Sequence, residues 1–368
     1  MKVTFLSGNL QKKLPFLNHA VSFRGQLPIL SNFLLEIKKG KLVISATDLE
    51  IGISSTIPVN VEKEGSTTIP AKNFSDLLTN IENKKITLSL EGETLKLTGE
   101  KIKATFQTTP ADDFPMLYEE KGSELVNIKK SQVEEFIARV VFAAASDSSR
   151  PALSGVLLDK DQDSVLLVAT DGYRLSMQKN VFKTKEELKD PLVIPSRVVR
   201  ETLSMNEESD DLGIFVSEKN NQILFSQGET ILVGRLIEGE YPDYQKIIPT
   251  DFNTKTEINR EELLNAIKIC SVFARETANI IKITIEKNKI IVSANSPSVG
   301  EDSVEIEAKT IGEENEIAFN AKYVLDLLSS LDKDDLIFEM TGPLNPGVFK
   351  IKEDNSFLHL IMPIRVQG

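Results

Sequence analysis

The chain repeats itself three times, and this constrains its fold more than any local pattern does. Pro28-Ile-Leu-Ser-Asn-Phe-Leu-Leu-Glu36 returns as Pro151-Ala-Leu-Ser-Gly-Val-Leu-Leu-Asp159, a step of 151 − 28 = 123. Ala46-Thr-Asp48 returns at the same step as Ala169-Thr-Asp171, and Ala294-Asn-Ser296 follows 125 residues later. A third series has three members, Ile69-Pro-Ala-Lys-Asn-Phe-Ser-Asp-Leu-Leu78, Ile194-Pro-Ser-Arg-Val-Val-Arg-Glu-Thr-Leu203 and Phe319-Asn-Ala-Lys-Tyr-Val-Leu-Asp-Leu-Leu328. Dividing 368 residues by three gives about 123, so three copies fill the chain. Polar stretches near Glu119 to Ser123 and at Pro249-Thr250 place the boundaries, giving domains 1–122, 123–249 and 250–368.

Each copy follows one plan. A helical pattern opens it, over Leu10 to Phe23, Gln132 to Ala145 and Glu261 to Ala274, with apolar residues at three- and four-residue intervals. Ser131 with Glu134 reads as a capping box for the second of these. Alternating strands follow, such as Lys41 to Ala46 and Val165 to Ala169. A shorter helix starts after Pro70, after Pro195 and at Asn320. More strands close the unit, including Ile86 to Leu90, Leu95 to Leu97, Ile214 to Ser217 and Ile223 to Ser226, with turns at Gly92-Glu93 and Asn220-Asn221. Strand-rich units with two helices each predict an α+β fold in three tandem copies.

The residues offer little for catalysis. One cysteine, Cys270, and two histidines, His19 and His359, leave no set for a zinc site, and no metal or cofactor is expected. Cys270 lies on an apolar helical stretch and reads as core, and His359 as strand packing. Asp159-Lys-Asp161-Gln-Asp163 opens like a calcium loop, but Ser164 and Thr170 stand where glycine and glutamate are required, so it reads as a turn. The adjacent pairs Asp112-Asp113 and Asp334-Asp335 project apart and read as exposed turns. No phosphate loop, dinucleotide fingerprint or nucleophile elbow is present. The chain is therefore not expected to be an enzyme; a hydrolase would require a pocket of convergent carboxylates. With 40% hydrophobic and 27% charged residues, no long apolar run and no leader pattern, it reads as a globular, cytoplasmic protein with no membrane partner.

The net charge, 43 − 55 = −12, argues by itself against nucleic-acid binding, but the placement of charge argues otherwise. The helical segments hold Lys12, Lys13, Arg24, Lys72, Arg139, Arg197, Arg200, Lys268, Arg275 and Lys322, while acidic residues gather in loops and strands. These cations are either ordinary solvated helix faces or a basic surface that holds a polyanion through its phosphates, independent of sequence. Tandem copies with equivalent head-to-tail contacts close into a ring where the rotation permits. A repeat scaffold that binds only proteins is the alternative to a DNA-binding array.

Particular residues also resemble a known family. Leu27-Pro-Ile-Leu-Ser-Asn32, Ala46-Thr-Asp-Leu-Glu50, Ile69-Pro-Ala-Lys72 and Asp113-Phe-Pro115 are similar to the bacterial sliding clamps, the β subunits of DNA polymerase III. So are Val168-Ala-Thr-Asp-Gly-Tyr-Arg-Leu175, Gly239-Glu-Tyr-Pro-Asp-Tyr244, Phe319-Asn320 with Tyr323-Val-Leu-Asp326, and Met362-Pro-Ile-Arg365. The resemblance implies three copies of the DNA-clamp fold and a head-to-tail homodimer forming a six-domain ring. That ring would encircle duplex DNA, slide freely and tether the polymerase, conferring processivity without a catalytic centre. Implied partners are double-stranded DNA, the DNA polymerase III α subunit, the clamp-loader complex, repair polymerases and other clamp-motif proteins, working at the nucleoid. Implied DNA contacts are Arg24, Lys72, Arg139, Arg197, Arg200, Arg275 and Lys322, with Lys12 and Lys13 less supported. The implied peptide-binding pocket comprises Leu153, Thr170, Gly172, Tyr173, Arg174, Leu175, Pro242, Ile247, Asn320, Tyr323, Leu360, Met362, Pro363 and Arg365. Tyr173 stands where the family often has histidine and Lys246 where it often has arginine, and Val366-Gln367-Gly368 extends the usual ending. All three bear on partner affinity.

A dimer seam is legible in two strand patterns. Lys101-Ile-Lys-Ala-Thr-Phe-Gln107 alternates Lys101, Lys103 and Thr105 with Ile102, Ala104 and Phe106. Glu301-Asp-Ser-Val-Glu-Ile-Glu307 puts Glu301, Glu305 and Glu307 on one face. A basic edge and an acidic edge attract between chains and repel their own kind, which selects head-to-tail pairing. Phe106 would pack near Val272 and Phe273 of the second chain. Two ordinary exposed strands are the alternative.

Overall fold

The computed structural model describes residues 1–23, 27–147, 149–184, 188, 190–332 and 335–365. They form two compact units: residues 1–130 with 201–236, and residues 131–200 with 237–368. Among the described residues no helix is long and apolar enough to cross a membrane.

The first unit holds two antiparallel sheets. A five-stranded sheet runs in the order Asn60–Lys63, Lys2–Leu6, Lys85–Glu91, Thr94–Thr98, Lys103–Gln107. An eight-stranded sheet runs Ser123–Lys129, Asp211–Ser217, Gln222–Gln227, Thr230–Arg235, Ile51–Pro58, Lys41–Thr47, Asn32–Lys38, Gly65–Pro70. Half of its strands come from the first sequence copy and half from the central one. They join where Thr230 to Gly234 pair with Ser55 to Ile51. The buried pair Ser55 and Thr230 adds a hydroxyl hydrogen bond of 2.8 Å across that junction.

The second unit contains one twelve-stranded sheet. The central copy supplies Leu192–Pro195, Gly155–Asp161, Ser164–Thr170 and Arg174–Gln178 at one end. The third copy continues it with Asp354–Ile361, Gly347–Ile351, Asp335–Met340, Thr254–Asn259, Gly300–Gly312, Lys289–Ser296, Ile280–Ile285 and Asn315–Asn320. Arg174 to Gln178 pair with Ile361 to Phe357 and close the seam between copies. The helices Arg260–Ala274 and Ala321–Ser330 bury Leu263, Ile267, Cys270, Val324, Leu327 and Leu328 in the core of the third copy. Cys270 donates to the Val292 carbonyl at 3.3 Å, and burial beside Asp302 pushes its thiol up to about 12. It is an inert core residue.

The short helices lie where their start signals place them, at Ala71–Thr79, Ser196–Ser204 and Ala321–Ser330. Asn320 caps the last by accepting from the Lys322 amide at 2.9 Å. The opening helices differ from expectation. The first copy has no continuous helix over Leu10 to Phe23; Ser7–Gln11, Leu14–Leu17 and a 3-10 turn at Asn18–Ala20 replace it. Pro15 has no amide to donate and its ring crowds the carbonyl four residues earlier, at Gln11, where the first helix stops. The central helix spans Lys130–Val141, with Ser131 as its second residue, and it ends before Ala145. The basic edge strand spans Lys103–Gln107, with Lys101 just before it. Asp159 and Asp161 end a strand that turns through Gln162 at φ 55, as the turn reading requires. Asp112 and Asp113 are exposed in a 3-10 turn, and Asp334 lies outside the described residues.

His359 sits inside the seam strand of the second unit, fully buried, with neither ring nitrogen hydrogen-bonded and its ring 5.3 Å from that of Phe142. Burial, reinforced by the charge of Arg174, lowers its pKa to about 3. The unfolded chain therefore binds one more proton than the folded chain between about pH 3 and the ordinary histidine value near 6.5. The stability that His359 contributes is complete above about pH 6.5 and falls by roughly 1 kcal/mol per unit as pH drops toward 3. Urea unfolding of His359→Leu against the parent should show a shallower loss of stability between pH 6.5 and 4.5.

Candidate functional site

The site in the second unit is built on one turn. Thr170 ends a strand, and its hydroxyl donates to the Arg174 carbonyl at 2.6 Å while accepting from the Gly172 amide at 3.0 Å. The Asp171 carboxylate accepts from the amides of Tyr173 and Arg174 at 2.9 and 3.0 Å. Gly172 takes φ +91, a backbone conformation that favours glycine, and the Arg150 guanidinium packs 2.9 Å from where a Cβ would stand. The turn sends Tyr173 outward, 61% exposed, and Arg174 inward.

Arg174 is used up inside the fold. Its guanidinium donates to Asp171 at 3.1 Å, to Asp326 at 2.7 Å and to the Phe142 carbonyl at 3.0 Å. It lies 4.6 Å from the Tyr323 ring centre and 5.4 Å from that of Phe142. Arg174 thus ties the central copy to the helix Ala321–Ser330 beside Tyr323, with three of its five N–H donors engaged inside the fold. The chain after the last strand is fastened to both sides: the Met362 amide donates to the Tyr173 carbonyl and the Ile364 amide to the Ala318 carbonyl, each at 2.8 Å. Between them, Leu175 and Leu360 pair directly across the strands and are fully buried in a cluster with Leu157, Val168, Tyr244 and Val348.

The fourteen implied pocket residues therefore sort into layers. Leu153, Thr170, Arg174, Leu175 and Leu360 are buried and form the floor and frame. Asn320, Tyr323 and Pro363 are half-buried, and Gly172, Tyr173, Pro242, Ile247, Met362 and Arg365 are exposed around them. Next to them an open cleft of about 680 Å³ is lined by Phe142, Arg150, Tyr173, Arg200, Lys322 and Tyr323, among others. Exposed apolar side chains over a rigid apolar floor, with basic groups alongside, suit a short peptide with hydrophobic anchors. Sequence reasoning missed Phe142, Arg150, Asp171 and Asp326. The repeat of Thr47-Asp48 as Thr170-Asp171 was the available signal for Asp171.

The implied DNA contacts fare unevenly. Lys72 and Arg275 are exposed, Lys322 is exposed but bridged to Asp326 at 2.7 Å, and Arg200 is exposed with a 3.3 Å bond to the Val141 carbonyl. Arg197 is half-buried, and Arg24 lies outside the described residues. Arg139 must be removed from the set. It is 1% exposed, paired with Glu135, Asp332 and Asp354, and its ring-side neighbours are Phe136 and Phe357. Helical periodicity placed it on the wrong face because a buried, compensated arginine has no sequence signature. Lys13 is also withdrawn from solvent by Glu207, while Lys12 is exposed, 3.9 Å from Glu208.

The seam residues occupy two open edges. Among the described residues Lys103–Gln107 pairs only with Thr94–Thr98, and Phe106 is half-buried against Phe74. In the strand Gly300–Gly312, residues 300–307 pair with Lys289–Ser296, whereas pairing on the other side involves only 308–312. Glu301, Glu305 and Glu307 are exposed there, Glu305 being 3.1 Å from Lys289. Val272 is 58% exposed beside half-buried Phe273, and Ile269, which the sequence reading missed, is exposed on the same helix.

Three family models cover the chain in order: the DNA polymerase III beta subunit N-terminal domain over residues 1–118, its central domain over 127–243 and its C-terminal domain over 245–365. The chain belongs to the DNA polymerase III beta subunit family. The beta sliding clamp of Staphylococcus epidermidis is 31% identical over 359 residues, 94% of each chain. Among solved structures, the beta subunit of Pseudomonas aeruginosa matches with a TM-score of 0.94 at 26% identity, and the sliding clamp of Bacillus subtilis with 0.93 at 28%, each over the whole of both chains. Members of this family are sliding clamps, the non-catalytic processivity subunit of the polymerase, and the threefold repeat is the family's three-domain organisation.

The central role of the Arg174 cluster is measurable. Asp326→Ala would leave the buried guanidinium with Asp171 as its one carboxylate partner and Lys322 with none within reach on its helix. Denaturant unfolding should report a loss of roughly 2 kcal/mol.

Proposed function

We propose that this sliding clamp works as a head-to-tail homodimer, a six-domain ring around duplex DNA, with functional domains 1–122, 123–249 and 250–368. One observation carries the reading: among the described residues two strand edges, Lys103–Gln107 and residues 300–307, lack a partner strand on one side, and they bear opposite charge. Unpaired edges of this kind aggregate unless a dedicated partner covers them. A second copy supplies that partner, with Val272 and Phe273 meeting Phe106 as the apolar part of the contact. Lys72, Arg197, Arg200, Arg275 and Lys322, with Arg24 and the weaker candidate Lys12, hold DNA phosphates without reading bases. The cleft around Tyr173, Tyr323 and Met362 takes short motifs from the polymerase α subunit, the clamp loader, repair polymerases and other clamp-binding proteins. The setting is the cytoplasm, at the nucleoid during replication.

A topological test separates this reading from a protein-only scaffold. Loaded onto nicked circular DNA with clamp loader and ATP, the protein should stay bound, and linearising the circle should release it. Release before linearisation would overturn encirclement. Neutralising Lys72, Arg197, Arg200 and Arg275 together should weaken DNA affinity uniformly across sequences and lower the salt slope by about one unit per lost contact.

The seam is tested by charge reversal. Lys101→Glu with Lys103→Glu should sediment as a monomer, and adding Glu301→Lys with Glu305→Lys in the same chain should restore dimer. A first variant that remains dimeric would reject the seam.

A further inference from the structure

The chain just after the last strand carries a chemistry that peptide binding does not use. The sequence holds one cysteine and six methionines. Cys270 is fully buried and its thiol is pushed up to about 12, so it offers almost no thiolate to an oxidant. Met1, Met177, Met205 and Met340 are buried as well. The remaining thioethers meet solvent: Met116 is 75% exposed and Met362 38%. An oxidant that meets the folded chain therefore reaches these two sulfurs first, and Met362 belongs to the exposed rim of the cleft.

Backbone bonds hold Met362 at that rim. It follows Leu360 and Ile361, both fully buried in the strand that pairs with Arg174–Gln178. Its amide donates to the carbonyl of Tyr173, which lines the cleft, and two residues later the Ile364 amide donates to the Ala318 carbonyl, each at 2.8 Å. Pro363 between them fixes its own φ and favours an extended backbone at Met362. The thioether can change rotamer, but its Cα is pinned beside Tyr173. Met116 has no such setting. It lies in the first unit, between the 3-10 turn Ala111–Asp113 and the strand Ser123–Lys129.

We propose that Met362 is a modification site, oxidised to the sulfoxide by peroxide, and that this oxidation releases peptides from the cleft. The inference rests on the reading of the cleft as a peptide site. Hydrogen peroxide transfers one oxygen to the thioether: an S–O bond forms on a sulfur lone pair, the O–O bond breaks, and the second oxygen leaves as water. The sulfur loses two electrons and the peroxide gains them. A flexible apolar contact becomes a polar one, and an apolar anchor laid over the new oxygen leaves it without a hydrogen bond. Enzymatic reduction by a dithiol returns the thioether, with a disulfide and water as products, so the change is reversible. Bound peptide covers the sulfur, so binding and oxidation oppose one another. The residues proposed for DNA and for the seam include no methionine or cysteine, so partners are shed while those contacts stay intact.

A fluorescent peptide with a Leu-Ser-Leu-Phe core, titrated against the full-length protein, tests the assignment. Hydrogen peroxide is added in steps while peptide mapping by mass spectrometry follows each sulfur. Met362 and Met116 should gain oxygen before the buried methionines, and affinity should fall about tenfold as Met362 sulfoxide accumulates. Excess peptide should protect Met362 and leave Met116 reactive, and methionine sulfoxide reductase should restore binding. Met116→Leu should lose affinity on treatment as the parent does, whereas Met362→Leu should show one affinity before and after, whatever its starting value. Complete oxidation of Met362 with unchanged affinity overturns the proposal, as does a Met362→Leu variant that weakens on treatment like the parent. Tyr323→Ala separates the two readings. If it weakens binding to untreated protein while Met362 sulfoxide does not, the cleft reading stands and the modification site fails. If neither changes binding, the cleft reading fails and the modification site with it.

Discussion

The pairing of strands across sequence copies is the constraint on which the rest of the structure depends. Ile51–Pro58 has no sheet partner on one side until Thr230–Arg235 arrives from the central copy, and Arg174–Gln178 none until Asp354–Ile361 arrives from the third. Each junction satisfies backbone groups that would otherwise be open to any passing strand. It also fixes register, and register decides which side chains face the core. Leu175 and Leu360 are opposite one another and fully buried for that reason, and the apolar floor of the cleft follows from them.

Two buried arginines reinforce the second junction in the same manner. Arg174 and Arg139 each sit on the central copy and pair with carboxylates of the third, Asp326 in one case and Asp332 with Asp354 in the other. Breaking one side of such a pair costs far more than the pair contributes over an apolar alternative, so their value is geometric. They hold Tyr323 and the chain after Ile361 where the exposed residues of the cleft need them. His359, buried without a hydrogen bond between the same two copies, is the part of this junction that acid attacks.

Much of this was legible in the sequence because it is periodic. The steps of 123 and 125 gave the copies, Pro70, Pro195 and Asn320 gave the starts of three helices, and alternation gave the strands. The turn at Gly172 was visible as a motif although its hydrogen bonds were not. What escaped depends on partners distant in the chain. Arg139 looked like any basic helix residue until Asp332 and Asp354 came against it, and Lys13 until Glu207 did. Pro15 was visible, yet the apolar spacing around it outweighed a rule of backbone chemistry that the fold obeys.

The central copy is one stretch of sequence but not one body. Its strands Asp211–Ser217, Gln222–Gln227 and Thr230–Arg235 belong to a sheet with the first copy, and its remaining strands from Gly155–Asp161 onward to a sheet with the third. The unit that repeats in the sequence and the unit that shares a sheet are therefore different objects. Cooperativity follows hydrogen-bonded sheets and shared cores, so the central copy is expected to show no folding transition of its own. Excised at its sequence boundaries, it would present two half-sheets, each with an unpaired edge. The chain is triple in its sequence repeat and double in its compact units.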